Sequence, residues 1–221
     1  PASLFYPFTD ASFAGDFYGA DKITARYKSQ FYTAEINYLK TFSRSRHSFF
    51  AFTGIMGIRF SNGSEKFDGN SYKKLGYSSY TIKTRNDLIG IQVGIDFKIR
   101  PFKTFYWDLL LKGGVDLNRI NGKVFLGDDH NTITLRNNTR QKTTAGAFAQ
   151  AAAGAGVQPY DFLNIHAGYQ MLFFGGLALA PDQIDRSSAS LTDSYMLTPY
   201  NMSDTGYIIV HGIYTGITFS F

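Results

Sequence analysis

The sequence predicts an all-β fold: an antiparallel transmembrane β-barrel of about eight strands, within a range of roughly 8–12. Three observations point there. The first is the C-terminal stretch, residues 206–221, GYIIVHGIYTGITFSF. Tyr207, Ile209, Ile213, Ile217, Phe219 and Phe221 alternate with positions that include Gly212, Gly216, Thr218 and Ser220. A period of two is a strand with two unlike faces, here ending on an aromatic. The second is composition. Among 221 residues, 17% are aromatic, with 15 Tyr and 21 Phe against one Trp, yet total hydrophobic content is only 44%. Only alternate residues of a barrel strand meet lipid, and aromatic girdles mark both interfaces, so such a chain is aromatic without being very apolar. The third is the alternation of short and long connections along the chain, which puts the expected long extracellular loops at one end and the short periplasmic turns at the other.

Seven alternating segments are readable in order. Residues 22–42 (KITARYKSQFYTAEINYLKTF) and 48–61 (SFFAFTGIMGIRFS) come first. Residues 80–100 are the clearest, with Ile89, Ile91, Val93, Ile95, Phe97 and Ile99 on one face and Gly90, Gln92, Gly94, Asp96 and Lys98 on the other. Residues 103–126 place Phe105, Trp107, Leu109, Leu111, Val115 and Leu117 opposite Asp108, Lys112, Gly114, Asp116 and Asn118. Residues 139–157 are Ala- and Gly-rich and alternate poorly. Residues 162–176 set Leu163, Ile165, Ala167, Tyr169, Met171 and Phe173 against Asn164, His166, Gly168 and Gln170. The C-terminal strand is the seventh. A membrane strand needs about ten residues, so these segments would span and project beyond the bilayer.

Short connections are expected at residues 43–47, 100–103 (RPFK) and 158–161 (QPYD), where Pro101 and Pro159 fit turns and cannot donate to a ladder. Long ones are expected at residues 62–79, 127–138 and 177–205, rich in Asn, Asp, Ser and Gly. The segment LALAPDQI, residues 177–184, follows an outward strand. It is read as the start of an external loop, although it could fold back over the barrel mouth. No linker, low-complexity tract or helical-period segment appears, so residues 1–221 read as one barrel domain.

Strand direction supplies a further expectation. With the C terminus in the periplasm, counting back across seven strands makes the first also run inward. An antiparallel barrel then needs one more, outward strand before residue 22. Residues 1–20 hold two prolines and alternate little, so the missing strand is expected upstream of this chain.

The chain carries a net charge of +5, scattered over loops. Scattered cations are ordinarily solvated surface, and a functional reading is contact with outer-membrane lipids and lipopolysaccharide. No nucleic-acid motif accompanies them, so no nucleic-acid partner is expected. Cys is absent, which removes disulfide and thiolate–metal chemistry.

Facing follows from alternation. In the clean strands the lipid side holds no Asp, Glu, Lys or Arg within the hydrocarbon span, and His211 is its one polar group. The lumen side is expected to carry a polar network of Glu35, Arg59, Gln92, Asp96, Lys98, Asp108, Lys112, Asp116, His166 and Gln170. A charge on the lipid face costs about 2–4 kcal/mol at mid-bilayer, whereas charges inside can pair. The four histidines show no metal spacing, and no HExxH or GxSxG motif is present, so no enzyme, cofactor or metal centre is expected.

Three stretches resemble the planctomycete-type outer-membrane β-barrel proteins, a family with pore-forming relatives. They are YKSQFYTAEINYLKTF with FAFTGIMGIRFSNGSEKF; TIKTRNDLIGIQVGIDFKIRP, where Thr84, Asn86, Leu88, Gly90, Gln92 and Gly94 match a T-x-N-x-L-x-G-x-Q-x-G strand; and NIHAGYQMLFFGGLALAPDQID. The resemblance covers most of residues 31–185 and implies an outer-membrane barrel with pore-forming relatives. It departs in lacking the barrel sequence that members carry before the Glu35 strand.

The expected function is a porin-like or narrow outer-membrane channel for small polar solutes. The alternative is a non-conducting barrel that anchors, or is a subunit of, an envelope or surface assembly, alone or as a homo-oligomer. Localisation is expected in a bacterial outer membrane. The barrel-assembly machinery would be a partner, reading Phe219 and Phe221 as the C-terminal signal. Strand count separates the two functions, because about eight strands enclose only side chains while 16–18 leave an aqueous channel.

Overall fold

A computed structural model describes residues 20–42, 49–74, 76–102, 104–128, 133–160, 162–184 and 202–219. Seven strands follow one another: β1 (Lys22–Thr41), β2 (Phe50–Lys73), β3 (Gly76–Ile99), β4 (Phe105–Asp128), β5 (Ile133–Tyr160), β6 (Leu163–Leu177) and β7 (Gly206–Phe219). Each pairs antiparallel with the next in a single sheet of order β1-β2-β3-β4-β5-β6-β7, a meander curled into a half-barrel. No α-helix occurs among the described residues; one 3₁₀ turn, Pro181–Gln183, follows β6. Within the described residues β1 pairs only with β2 and β7 only with β6, so the direct parallel pairing of first and last strands does not form.

The curl is legible in side-chain chords. Arg59 on β2 bonds Gln150 on β5, Glu35 on β1 bonds Lys112 on β4, and Asp108 on β4 bonds Tyr214 on β7. Each chord skips two strands. Strands three apart in a flat sheet lie roughly 14 Å from one another, with side chains standing parallel, so these contacts require a tightly bent sheet.

Inside and outside follow the period of two. On β3 Ile82, Thr84, Asn86, Leu88, Gly90 and Gln92 are buried, while Ile89, Ile91 and Val93 are exposed. Ile95, Trp107, Leu109, Leu111, Tyr169, Met171, Ile217 and Phe219 are also exposed. The convex face therefore carries a continuous apolar band. It runs eleven residues along β3, from Ile89 to Ile99. At about 3.3 Å per residue and a tilt of about 40°, that rises roughly 25 Å, the height of a membrane-facing band. His211 also lies on this face, and its ring bonds the Tyr169 hydroxyl on β6.

Two expectations about connections are corrected. Residues 62–79 are not a long loop. β2 continues to Lys73 and β3 begins at Gly76, leaving residues 74–75 as the connection. The Asn-, Ser- and Gly-rich composition that suggests a loop is that of a ribbon leaving the apolar band, where both faces can be polar and still pair in register from Asn62↔Asp87 to Lys73↔Gly76. Likewise β5 starts at Ile133, which shortens the expected loop at residues 127–138. At the opposite end the connections are residues 42–49, 100–104 and 161–162, so the expected contrast of short turns with long loops fails for the first two loops: residues 42–49 outnumber both 74–75 and 129–132, and residues 178–205 alone stay long. The β5–β6 ladder skips Pro159, which has no N–H to offer, by a register shift between Val157 and Tyr160.

The third connection is corrected in its first part. Gly176 is the extra residue in a bulge between Gly175 and Leu177, at φ +80°. That conformation is open to glycine, and an added Cβ would meet the Ala145 carbonyl at 2.7 Å. The bend sends residues 177–184 back into the concave side rather than outward. There Ala178 and Ala180 pack with Tyr80, Ile82, Ile120, Val124, Leu126 and Met202, and Leu177 packs with Leu88, Phe148, Leu172 and Phe174. This inward strap fills the concavity at the loop end with apolar side chains.

Candidate functional site

The middle of the concave side is a charged cluster built from five strands in register. One cross-strand row reads Glu35–Arg59–Gly90–Asp116–Gly146, and the next reads Asn37–Gly57–Gln92–Gly114–Phe148. Large and small residues alternate across the second row, and from Arg59 onward in the first, which is how side chains fill a narrow interior. Gly90 and Gly94 make the room: a Cβ at either would collide with Asp116 or Lys112 respectively.

Arg59 is the hub and is only 2% exposed. Its Nη2 donates to Glu35 at 2.9 Å and to Gln150 at 2.8 Å, and its Nε donates to Gln92 at 3.0 Å. Its guanidinium lies 4.2 Å from the Phe148 ring centroid and 5.8 Å from that of Phe174. Such stacking suits the planar, weakly hydrated guanidinium. Glu35 takes three donors, adding Lys112 Nζ at 2.6 Å and Gln92 Nε2 at 2.6 Å. Gln92 also donates to Asn37, and Gln150 donates to Gln170 at 3.3 Å. Arg59 Nη1 and Asp116 Oδ2 are buried without a hydrogen-bond partner among the described residues.

The expected lumen residues thus divide into two groups. Glu35, Arg59, Gln92, Lys112 and Gln170 meet in this cluster, with Asp116 beside it on the same row as Arg59. Asp96, Lys98, Asp108 and His166 lie nearer the short-turn end and are partly open. Lys98 pairs with Asp96 at 3.4 Å and lies over the Tyr106 ring; Asp108 accepts from Tyr214 at 3.0 Å; His166 sits against Tyr214 with ring centroids 6.1 Å apart. Of the C-terminal pair, Phe219 is exposed at the end of β7, and Phe221 lies outside the described residues.

Sequence reasoning missed three members. Gln150 sits on the strand whose alternation is faint, Glu65 in what reads as a loop, and Asn86 works through backbone rather than charge. Asn86 donates to the Ala178 carbonyl at 3.0 Å and accepts from the Ala178 N–H at 2.9 Å. Asn118 donates to Asn86 and to the Gly176 carbonyl. Glu65 accepts from the Ala180 N–H at 2.8 Å. These groups hold the strap. Gln183 clamps the strap's far end, donating to the Ser203 carbonyl at 2.8 Å and accepting from the Ser203 N–H at 3.0 Å.

Comparisons with family models, curated proteins and solved structures returned no match for this chain. The resemblance to planctomycete-type barrels therefore rests on the motifs quoted above. Six of the motif positions, Thr84, Asn86, Leu88, Gly90, Gln92 and Arg59, are buried on the concave side, while Gly94 and Gln170 are partly open and Tyr169 is exposed on the convex side.

Proposed function

We propose that this chain is an outer-membrane β-barrel of about eight strands with a closed interior, serving as an anchor or subunit of an envelope assembly rather than as an open pore. The carrying observation is that Arg59 is 2% exposed with only seven strands around it. Its chord to Gln150, the Glu35–Lys112 chord and the strap cross the concave side, which supports the closed reading. The apolar band supports the membrane reading, because scattered exposed apolar residues are ordinary but a contiguous belt of this size marks an interface.

Closure needs a strand. Both β1 and β7 are odd in the meander and run the same way, so a single added strand running opposite makes every pair antiparallel and gives eight. A second copy in the same orientation would add seven strands and leave parallel seams. A further antiparallel segment supplies the closing strand in this reading; residues 1–19 lie outside the described residues. An edge left open in lipid would strand backbone groups at several kcal/mol each.

The test is single-channel conductance of the purified protein in planar bilayers. A flat trace is expected, and steady conductance at a defined level would refute the closed reading. One observation favours a gated channel as a second reading: the strap is held by a few hydrogen bonds from Asn86, Asn118 and Glu65. Conductance that appears in an Asn86→Ala/Asn118→Ala double variant, and not in the parent, would select it.

A further inference from the structure

Above the apolar band the convex face turns cationic in an ordered way. Lys28, Lys66, Lys83 and Lys123 stand directly opposite one another on β1, β2, β3 and β4. Neighbouring strands are about 4.8 Å apart, so four ammonium groups share a row roughly 14 Å long. Like charges placed directly opposite repel, and nothing in strand pairing favours such a row. Lys66 has a partner, Asp68, at 2.7 Å. Lys28, Lys83 and Lys123 are exposed and form no ion pair within 4 Å among the described residues.

The rows between the lysines and the band fit the same ligand. Gln30, Ser64, Arg85, Asn121 and Gln141 form one, and Tyr32, Asn62, Asp87, Arg119 and Thr143 the next. With Arg26 beside Asp68, this patch sets Arg26, Lys28, Lys66, Lys83, Arg85, Arg119 and Lys123 against only Asp68 and Asp87. Cations interleaved with amides and hydroxyls match a phosphorylated sugar, whose phosphates take the cations and whose hydroxyls take the amides.

Height selects the lipid. The lysine row lies six residues beyond Ile89 on β3. At about 3.3 Å per residue and a tilt of about 40°, that is roughly 15 Å above the hydrocarbon edge. An ordinary headgroup layer is only about 5–8 Å thick on each side. A phospholipid headgroup stays below this row, while a glycolipid with phosphates on an extended sugar core reaches it.

We infer that the Lys28–Lys66–Lys83–Lys123 row is a binding shelf for the phosphorylated sugar core of lipopolysaccharide in the outer leaflet. The inference rests on the outer-membrane reading proposed above. It predicts a lipid bound to the outside of the wall, independent of whether the interior conducts.

The test uses the full chain reconstituted in phosphatidylcholine nanodiscs, with a Lys28→Gln/Lys83→Gln/Lys123→Gln variant that spares the Lys66–Asp68 pair. Lipopolysaccharide, enzymatically dephosphorylated lipopolysaccharide, phosphatidylglycerol and inorganic phosphate are titrated in turn. The parent should bind lipopolysaccharide at least tenfold tighter than the variant, and the difference should vanish on dephosphorylation. Phosphatidylglycerol and inorganic phosphate should not separate parent from variant. Equal lipopolysaccharide affinity in both proteins overturns the shelf, as does an equal loss for phosphatidylglycerol or free phosphate. Quenching of the single Trp107 by brominated lipid is read on the same samples. If quenching shows insertion and the affinities do not differ, the shelf alone fails; if the chain does not insert, the shelf and the membrane reading fail together.

Discussion

Replacing Arg59 with alanine is expected to cost about 3–5 kcal/mol of stability, the range for breaking a buried ion pair by removing one partner. The reason is the number of groups that depend on it. Glu35 loses its 2.9 Å partner, Gln92 and Gln150 each lose the donor to their side-chain carbonyl, and Phe148 loses the cation stacked on its face. Asp116, on the same row, keeps its burial without that neighbouring charge. Arg59→Lys keeps a charge but cannot fork between Glu35 and Gln150 while reaching Gln92, and an intermediate loss of about 1–3 kcal/mol is expected. Urea unfolding in lipid vesicles, followed by Trp107 emission, measures both. An alanine variant within about 1 kcal/mol of the parent would mean that the cluster does not hold the half-barrel together.

The second large effect is expected on the opposite face. Val93 is 64% exposed and lies near the middle of the apolar band. Val93→Lys should cost about 2–4 kcal/mol in a bilayer, because an ammonium at mid-depth has neither water nor a partner. If that face met water, the same exposed substitution would stay within about 0.5 kcal/mol. The control is Asn121→Lys, on the polar rows beyond the band, which should be near neutral in either case. A neutral Val93→Lys in vesicles would remove the lipid-facing assignment.

The two faces of β3 were readable from sequence because neighbours differ at nearly every step: Ile89 against Gly90, Ile91 against Gln92, Val93 against Gly94. β5 hid its faces for a physical reason. Its outward positions Ala145, Ala147, Ala149, Ala151, Ala153 and Ala155 are small, so the contrast with inward Phe148 and Gln150 is faint and Gln150 went unnoticed. The outer half of β2 hid differently. Outside the band both faces are polar, and Glu65, which anchors the strap, reads as a loop residue when its strand lacks an apolar stripe. Charged members of the cluster were legible singly because charge is unwelcome on the other face. Their meeting was not, since Glu35 and Lys112 come together only through the curl of the sheet. The strap was legible only as an apolar run after a strand. Its seat among Tyr80, Ile82, Ile120 and Val124 depends on a turn at Gly176 that composition does not announce. At the loop end the same polar chemistry continues outside the cluster, where the Lys142 ammonium holds the Asp204 carboxyl below the usual carboxylate range.

The transmembrane placement of the convex band is the central claim, and depth-dependent fluorescence quenching tests it most directly. The chain has one Trp, so Trp107→Phe gives a silent background into which Val93→Trp or Lys83→Trp is introduced. In vesicles, the tryptophan at position 93 should emit to the blue, be quenched strongly by lipids brominated mid-chain and resist aqueous iodide. The tryptophan at position 83, above the band, should show the reverse. Iodide quenching at both positions with no response to brominated lipid would contradict the account and make the band a water-facing or protein-facing surface.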